Sequence, residues 1–305
     1  MRHPHHDLKE AYKKSDLVLG SVRGYTFEQL RPFVVSLQRT SFRGEVVLFW
    51  NGLSAETLAA LRNHRVRLVH FSYRGTGSLN SWSRFWTPLR FFVHLPVGTF
   101  VRRMLLKALL NLAVLRYLHA LDFLEENLNR YTRILFTDVR DVLFQDNPFR
   151  DPIPGAITAF LEDPKIKFGF DSMNDGWLQE NYGREVTRQL MGTPISCCGT
   201  VMGTEAGMLD YLRTFVREIA RLKSLAHGAD TSIHNVLVRD RLSDQITTVA
   251  NLAGVVGTIG ANAMSELKRD DSGWILGDDN RVVPVLHQYD RHPALAAQLL
   301  ANVGL

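Results

Sequence analysis

Between Leu17 and Phe71 the chain alternates short apolar runs with stretches of helical period: Leu17–Gly20, Thr26–Leu37, Glu45–Trp50, Ala55–Asn63 and Val66–Phe71. Read in order, these predict strand, helix, strand, helix, strand, with connections of only a few residues. Strands alternating with helices through short connections are the signature of a parallel sheet wound with helices. Each helix must therefore cross a face of the sheet and return the chain parallel to the strand before. The expected fold class is α/β, a Rossmann-like sheet flanked by helices in a single domain.

At 305 residues the chain is long enough for one such unit with a well-buried core. The sequence predicts a flexible tail over 1–14 (MRHPHHDLKEAYKK), whose histidines read as solvated rather than metal-binding. The remainder, 15–305, reads as one domain with a first half to 150 and a second half from 151. The 36 Lys and Arg exceed the 31 Asp and Glu, giving +5 and a pI near 9.3, which favours an anionic ligand or surface. No nucleic-acid-binding motif accompanies that charge, so nucleic acid is not expected as a partner.

Cys197 and Cys198 are the only cysteines and lie side by side, which excludes a disulfide framework and a CxxC metal site. A reducing cytoplasm is expected, and no secretory signal is read at the N-terminus. Met104–Leu115 is the most apolar helical stretch, but Lys107 and Arg116 leave it too short to span a bilayer. It reads as the buried part of a long helix from Arg102 to Asn127. Before it, aromatic Trp82, Phe85, Trp86, Phe91 and Phe92 interleave with Arg74, Arg84 and Arg90. That pattern fits either a core-packed insertion or a loop that covers substrate or touches a membrane peripherally.

The chemistry concentrates in Ile134–Phe149, ILFTDVRDVLFQDNPF, where an apolar strand ends on Thr137 and Asp138 and a second carboxylate follows at Asp141. Two carboxylates at a strand end neutralise a divalent cation such as Mn²⁺ or Mg²⁺, which in turn binds diphosphate oxygens. Residues i and i+2 share a face of a strand, whereas i and i+3 do not. Asp138 and Asp141 can meet one cation only if the backbone bends at Val139 or Arg140. Without a bend Asp138 shares its face with Arg140, and an ion pair of Arg140 with either acid is the plainer alternative.

Downstream, Asn174-Asp175-Gly176 and Asn181-Tyr182-Gly183 read as loops, with Asp171, Asn174 and Asp175 either solvated turn residues, the preferred reading, or part of a loop bordering an acceptor. Ile195–Gly203 (ISCCGTVMG) reads as a strand, Glu205–Lys223 as an amphipathic helix, Thr231–Val238 as a second helix, and Trp274–His287 as a hairpin through Gly277–Asn280.

With these segments placed, the chain resembles a GT-A-type nucleotide-sugar glycosyltransferase. Ile134–Asp141 resembles the strand and DxD motif of that superfamily, with DVRD in place of a strict DxD. Cys198-Gly199-Thr200-Val201-Met202 resembles the strand lining the sugar site. Asp230-Thr231-Ser232-Ile233-His234-Asn235 resembles the adjoining helix start, with Thr231 where glutamine is common, and Val285–Tyr289 resembles the late strand that supplies a metal-binding histidine.

The resemblance implies a GT-A-like mixed sheet, a nucleotide-binding half over 15–150 and an acceptor- and sugar-binding half over 151–305. It implies a nucleoside-diphosphate sugar as donor, a glycan, lipid or protein as acceptor, and Mn²⁺ or Mg²⁺ held by Asp138, Asp141 and His287. Ser21, Arg23 and Tyr25, at the end of the first strand, would contact the nucleotide together with Asp138. Arg116 would reach the diphosphate or pair with an acid, the phosphate role being preferred. Cys198, Gly199, Thr200 and Asn235 would line the sugar site. Asp230 would act on the acceptor or the transferred sugar, or serve as the N-cap of its helix. The competing readings are a sugar-phosphate nucleotidyltransferase and a catalytically silent nucleotide- or membrane-surface-binding protein.

Overall fold

The first apolar run forms β1 (Ser15–Arg23), whose side chains alternate between two cores: Leu17 and Leu19 enter one, Val18 and Val22 the other. Both faces are buried, which is why the strand reads as a continuous apolar run. In the computed structural model the described residues are 14–73, 103, 106–107, 110–224 and 228–305. The expected tail, apart from Lys14, and the aromatic stretch over 74–102 lie outside them.

The wound half follows the sequence pattern. Helix α1 (Phe27–Arg39) opens where Gln29 Oε1 accepts the backbone N–H of Thr26 at 3.0 Å, and α2 (Ala55–Asn63) opens on a Ser54 cap. Strands β2 (Glu45–Asn51) and β3 (Arg67–His70) add in parallel on one side of β1, and β4 (Tyr131–Thr137) on the other. Helix α3 (Leu112–Glu126) precedes β4. It corrects the expected unbroken helix from Arg102, because the Asn111 side chain accepts the Val114 N–H and starts a helix there.

The second half completes the same sheet. Strands β6 (Ile157–Leu161), β7 (Ser196–Thr204) and β8 (Ile246–Val249) join it in the order β3-β2-β1-β4-β7-β6-β8, with β7 antiparallel to both of its neighbours. The sheet is therefore mixed and continuous across residue 150. Helices α4 (Ser172–Tyr182) and α5 (Arg184–Leu190) take up segments expected as loops. Gly176 is tolerated inside α4, and the break falls at Gly183, where φ is +92°. Asp171 caps α4 by accepting the Asn174 N–H, and Asp175 accepts the Gly169 N–H, so these residues serve the turn. Helix α6 (Glu205–Ile219) buries its apolar stripe against α3, and α7 (Ala229–Val236) runs on into a wider turn at Leu237–Arg241.

A second, three-stranded sheet was not legible in the sequence. It comprises β5 (Val142–Phe144), β9 (Val256–Thr258) and β10 (Val285–His287), ordered β5-β10-β9. The expected hairpin shrinks to a single bridge between Leu276 and Val282, and Val285–His287 leaves it to pair with β5 and β9. The small sheet is a layer in its own right. Val142, Phe144 and Val285 face the core shared with α1, whereas Leu143 and Leu286 face a third core closed by α8 (Pro293–Asn302). Among the described residues no helix is long and apolar enough to cross a membrane.

Candidate functional site

The site forms where β4 runs out. Leu19 pairs with Phe136 across β1 and β4, and a Cβ placed on Gly20 would fall 2.5 Å from Val139 and 3.1 Å from the Thr137 carbonyl. The C-terminal end of β1 thus lies against the segment that carries the acids. This carboxyl edge of an open α/β sheet is where ligands bind in such folds. The chain then bends through Asp138–Asp141 before β5 begins, which supplies the departure from extended backbone that the spacing requires.

The bend turns Asp138 and Asp141 toward one histidine. His287 Nε2 lies 3.4 Å from Asp138 Oδ2 and 3.7 Å from Asp141 Oδ2, and the three ligand atoms fall within 4.8 Å of one another. His287 arrives from the second sheet, where it pairs with Val142 and Thr258, and the Gln288 N–H donates to the Asp141 carbonyl at 2.7 Å. Short strands far apart in sequence therefore fix the third member of the cluster.

Two observations test whether these residues suit a cation. His287 Nε2 is buried and makes no hydrogen bond. Gly199 on β7 leaves the space beneath it open: a Cβ there would meet His287 Cε1 at 2.5 Å, Asp138 Oδ2 at 2.6 Å and His287 Nε2 at 2.8 Å. An unpaired imidazole nitrogen and two carboxylates around a position with no side chain fit a divalent metal of the Mg²⁺ or Mn²⁺ type.

Arg140 takes no part in the cluster. Its guanidinium turns outward to Asp290 at 2.6 Å, so the alternative pair with Asp138 or Asp141 is not formed. The cation beside Asp138 is instead Arg116, from the second turn of α3. One of its nitrogens pairs with Asp138, and the other lies 3.5 Å from Asp230 Oδ2 and 3.3 Å from the Cys198 carbonyl. Arg116 is thus engaged by acids, the second of the two roles open to it in the sequence. Asp230 is not the N-cap of α7, a place Gly228 holds. It sits in the first turn with its carboxylate toward Arg116 and Cys198 Sγ, while Cys198 Sγ also lies 3.2 Å from Thr231 Oγ1.

Electrostatics divide the two acids. Burial opposes ionisation of Asp138, but Arg116 and His287 outweigh it and hold the carboxyl well below the usual range. Burial raises the pKa of Asp141, and the neighbouring charges of Asp138 and Asp290 add to the rise against the pull of His287. Arg116 keeps its charge despite burial because Asp138 and Asp230 surround it.

The other expected site residues are spread around this centre. Ser21 has a buried hydroxyl without a hydrogen-bond partner, Arg23 stacks over Tyr73 at 4.6 Å, and Tyr25 lies close enough to Arg140 to act on its charge. Thr200 pairs with Thr137 across β7 and β4, and both hydroxyls are buried without partners. Asn235 has another job. It is fully buried, its oxygen accepts the Ser196 N–H, and its amide donates to the Ser196 and Thr231 carbonyls. These bonds staple α7 to β7 and occupy the side chain, so the sugar contact expected of it is replaced by a structural one.

Sequence reasoning missed Cys197 and Glu162. Cys197 Sγ lies 3.2 Å from His287 Nδ1, and the Glu162 carboxyl, just past β6, lies beside that thiol. Strand alternation was the available signal, because Cys197 shares a face of β7 with Gly199.

No protein-family model matches the sequence, and no curated protein does. Solved structures do match. Over 99% of its length the chain follows the bifunctional glycosyltransferase WbbM, in its apo structure, with a TM-score of 0.52 and 13% identity. It spans only half, 50%, of that protein's length. Over 95% of its length it follows 95% of the galactosyltransferase LgtC, solved with donor and acceptor sugar analogues, with a TM-score of 0.50 and 13% identity. At that identity the likeness is one of fold, and the mixed seven-stranded sheet with flanking helices is the GT-A fold of these glycosyltransferases.

Proposed function

We propose that the chain is a metal-assisted glycosyltransferase that moves a sugar from a nucleoside-diphosphate donor to an acceptor hydroxyl. The observation that carries this reading is the convergence of Asp138, Asp141 and the unpaired Nε2 of His287 over Gly199, at the carboxyl edge of a GT-A sheet. LgtC, which shares the fold, is a galactosyltransferase that holds donor and acceptor analogues.

Mn²⁺ or Mg²⁺ bound by Asp138, Asp141 and His287 would neutralise the charge that grows on the departing diphosphate. The chain's own residues then divide the remaining work. Ser21, Arg23 and Tyr25 line the edge of β1 where a nucleotide would lie. Arg116 holds Asp138 ionised and turns Asp230 inward, so that Asp230 faces the sugar site formed by Cys198, Gly199 and Thr200. A carboxylate there can orient a hydroxyl and accept its proton.

The test is a thermal-shift screen of nucleotide sugars with and without Mn²⁺, followed by product analysis of the hits. Binding raises the melting temperature by mass action. The expected result is a shift by one or a few nucleotide sugars that depends on Mn²⁺, with release of nucleoside diphosphate on turnover. Unchanged donor binding and turnover in the Asp138→Ala, Asp141→Ala double variant would reject the proposal. Conversion of a nucleoside triphosphate and a sugar phosphate into nucleotide sugar would replace it with nucleotidyl transfer.

A further inference from the structure

The His287 ring lies along one face of β7, with Nδ1 at 3.2 Å from Cys197 Sγ and its Cε1–Nε2 edge over Gly199. Cys197 and Gly199 are i and i+2 on the strand, so the two contacts follow from one alternation. Cys197 is 3% exposed, and its thiol is the hydrogen-bonding partner of Nδ1.

Building on the metal reading above, we infer that Cys197 is a positioning residue that fixes the tautomer of His287, keeping the ring proton on Nδ1 and presenting a bare Nε2 to the cation. With the ring neutral, as a metal ligand must be, two arrangements of the Cys197–His287 pair are chemically open. In one, the thiol donates to Nδ1, and the ring proton sits on Nε2, aimed at the carboxylates. In the other, sulfur accepts from Nδ1–H, and Nε2 offers its lone pair.

The geometry favours the second. Nε2 faces Asp138 Oδ2 at 3.4 Å and Asp141 Oδ2 at 3.7 Å, the atoms that would share a cation with it, so in a neutral ring only a proton kept on Nδ1 leaves Nε2 a lone pair for that cation. The thiol proton has another acceptor, because the Glu162 carboxyl lies beside Cys197. Glu162 and Cys197 thus stand on the Nδ1 side of the ring, away from the cation site. A metal-binding histidine is commonly oriented in this way through its other nitrogen, usually by a carboxylate or carbonyl. Here a thiol stands between the carboxyl and the ring.

The experiment is Mn²⁺ titration of the intact protein, without nucleotide, read by the electron paramagnetic resonance of free Mn²⁺. Cys197→Ala should weaken Mn²⁺ about 10- to 100-fold, while Cys197→Ser, which can still accept from Nδ1, stays within about threefold of the native protein. In a His287→Gln background Cys197→Ala should make no further difference, since it acts only through the ring. Native-like affinity in Cys197→Ala, or an equal loss with and without His287, would overturn the inference while leaving the metal reading in place. A native protein that binds no Mn²⁺ overturns both. Melting temperatures of the metal-free variants show whether each is folded.

Discussion

The Asp138 backbone N–H donates to the Gly199 carbonyl at 2.7 Å, and Asp138 Oδ2 stands 2.6 Å from where a Gly199 Cβ would be. One residue thus both extends the β4–β7 pairing by a step and places its carboxylate over a glycine, whose lack of a side chain leaves room for it. Gly199 is needed for space rather than for backbone freedom, since its φ is not positive. In Gly199→Ala the new methyl group would collide with the His287 ring and the Asp138 carboxylate. The expected cost is about 1–3 kcal/mol in stability, from overpacking. Mn²⁺ affinity should fall at least tenfold; a titration of Gly199→Ala that overlays the native curve would show that the cradle is not the binding place.

Arg140 distinguishes DVRD as a working motif from DVRD as an internal ion pair. Its partner is Asp290, and the two side chains are 45% and 28% exposed. A surface pair of this kind contributes about 0–1 kcal/mol. Arg140→Ala should therefore unfold within about 1 kcal/mol of the native protein and retain Mn²⁺ binding. Urea melts and the same titration check this. A large loss of affinity would mean that Arg140 reaches the site when ligand is bound.

Arg116 is the opposite case. Its side chain is 11% exposed and sits between Asp138 and Asp230, themselves 33% and 13% exposed. Arg116→Met removes the cation and leaves two acids facing each other. Breaking a buried pair from one side costs about 3–5 kcal/mol, and the partial exposure of Asp138 puts the expected loss near the lower figure. Denaturant unfolding of Arg116→Met measures it directly. Adding Asp230→Asn should recover part of the loss, and failure to do so would show that Arg116 acts through packing alone.

Two histidines buried neutral should each take stability away in mild acid, with the opposite sign to His287, which, despite its burial, Cys197 and Asp138 push up. Burial lowers the pKa of His234 to about 3, with Arg116 and Arg239 adding to the effect. Burial lowers that of His119 to about 4, with Lys107 adding and Asp122 opposing. Both titrate near 6.5 in the unfolded chain. At these two sites the unfolded state therefore binds more protons below that pH, so their contribution to stability is complete above about pH 6.5 and is lost as pH falls toward the folded values. Each histidine should account for about 2 kcal/mol of loss by pH 5. His234 bridges the Tyr211 hydroxyl and Ser196 Oγ, at 2.7 and 2.8 Å. Comparing urea midpoints at pH 7.5 and 5 for native and His234→Gln proteins tests its share. Identical pH slopes would exclude His234.

Asn235→Ala should destabilise without touching the metal centre. The substitution strips partners from the backbone N–H and carbonyl of Ser196 and from the Thr231 carbonyl. Leaving buried backbone groups unpaired costs about 1–3 kcal/mol. The expected pattern is a lowered urea midpoint with unchanged Mn²⁺ affinity.

Local pattern carried the wound half of the molecule. Apolar runs and helical periods placed β1, α1, β2, α2 and β3, because parallel strands buried on both faces must be continuously apolar and their crossover helices must be amphipathic. The same logic located the acids of β4 and required the bend between Asp138 and Asp141. Gly199, Asp230 and His287 came instead from the resemblance to GT-A glycosyltransferases, through the order of its short motifs.

Tertiary structure alone decided the rest. Three-residue strands such as β5 and β9 carry too little periodicity to be read, and β5 pairs with β10 from more than a hundred positions away. Which cation faces Asp138 was settled the same way: Arg140 is two residues away and turns to Asp290, whereas Arg116 arrives from another helix. The sequence by itself determined the α/β class and the strand that delivers the acids, since both follow from side-chain alternation and burial. Only the folded chain determined that His287, Cys197 and Arg116 meet there, because contacts between distant segments depend on how whole layers pack.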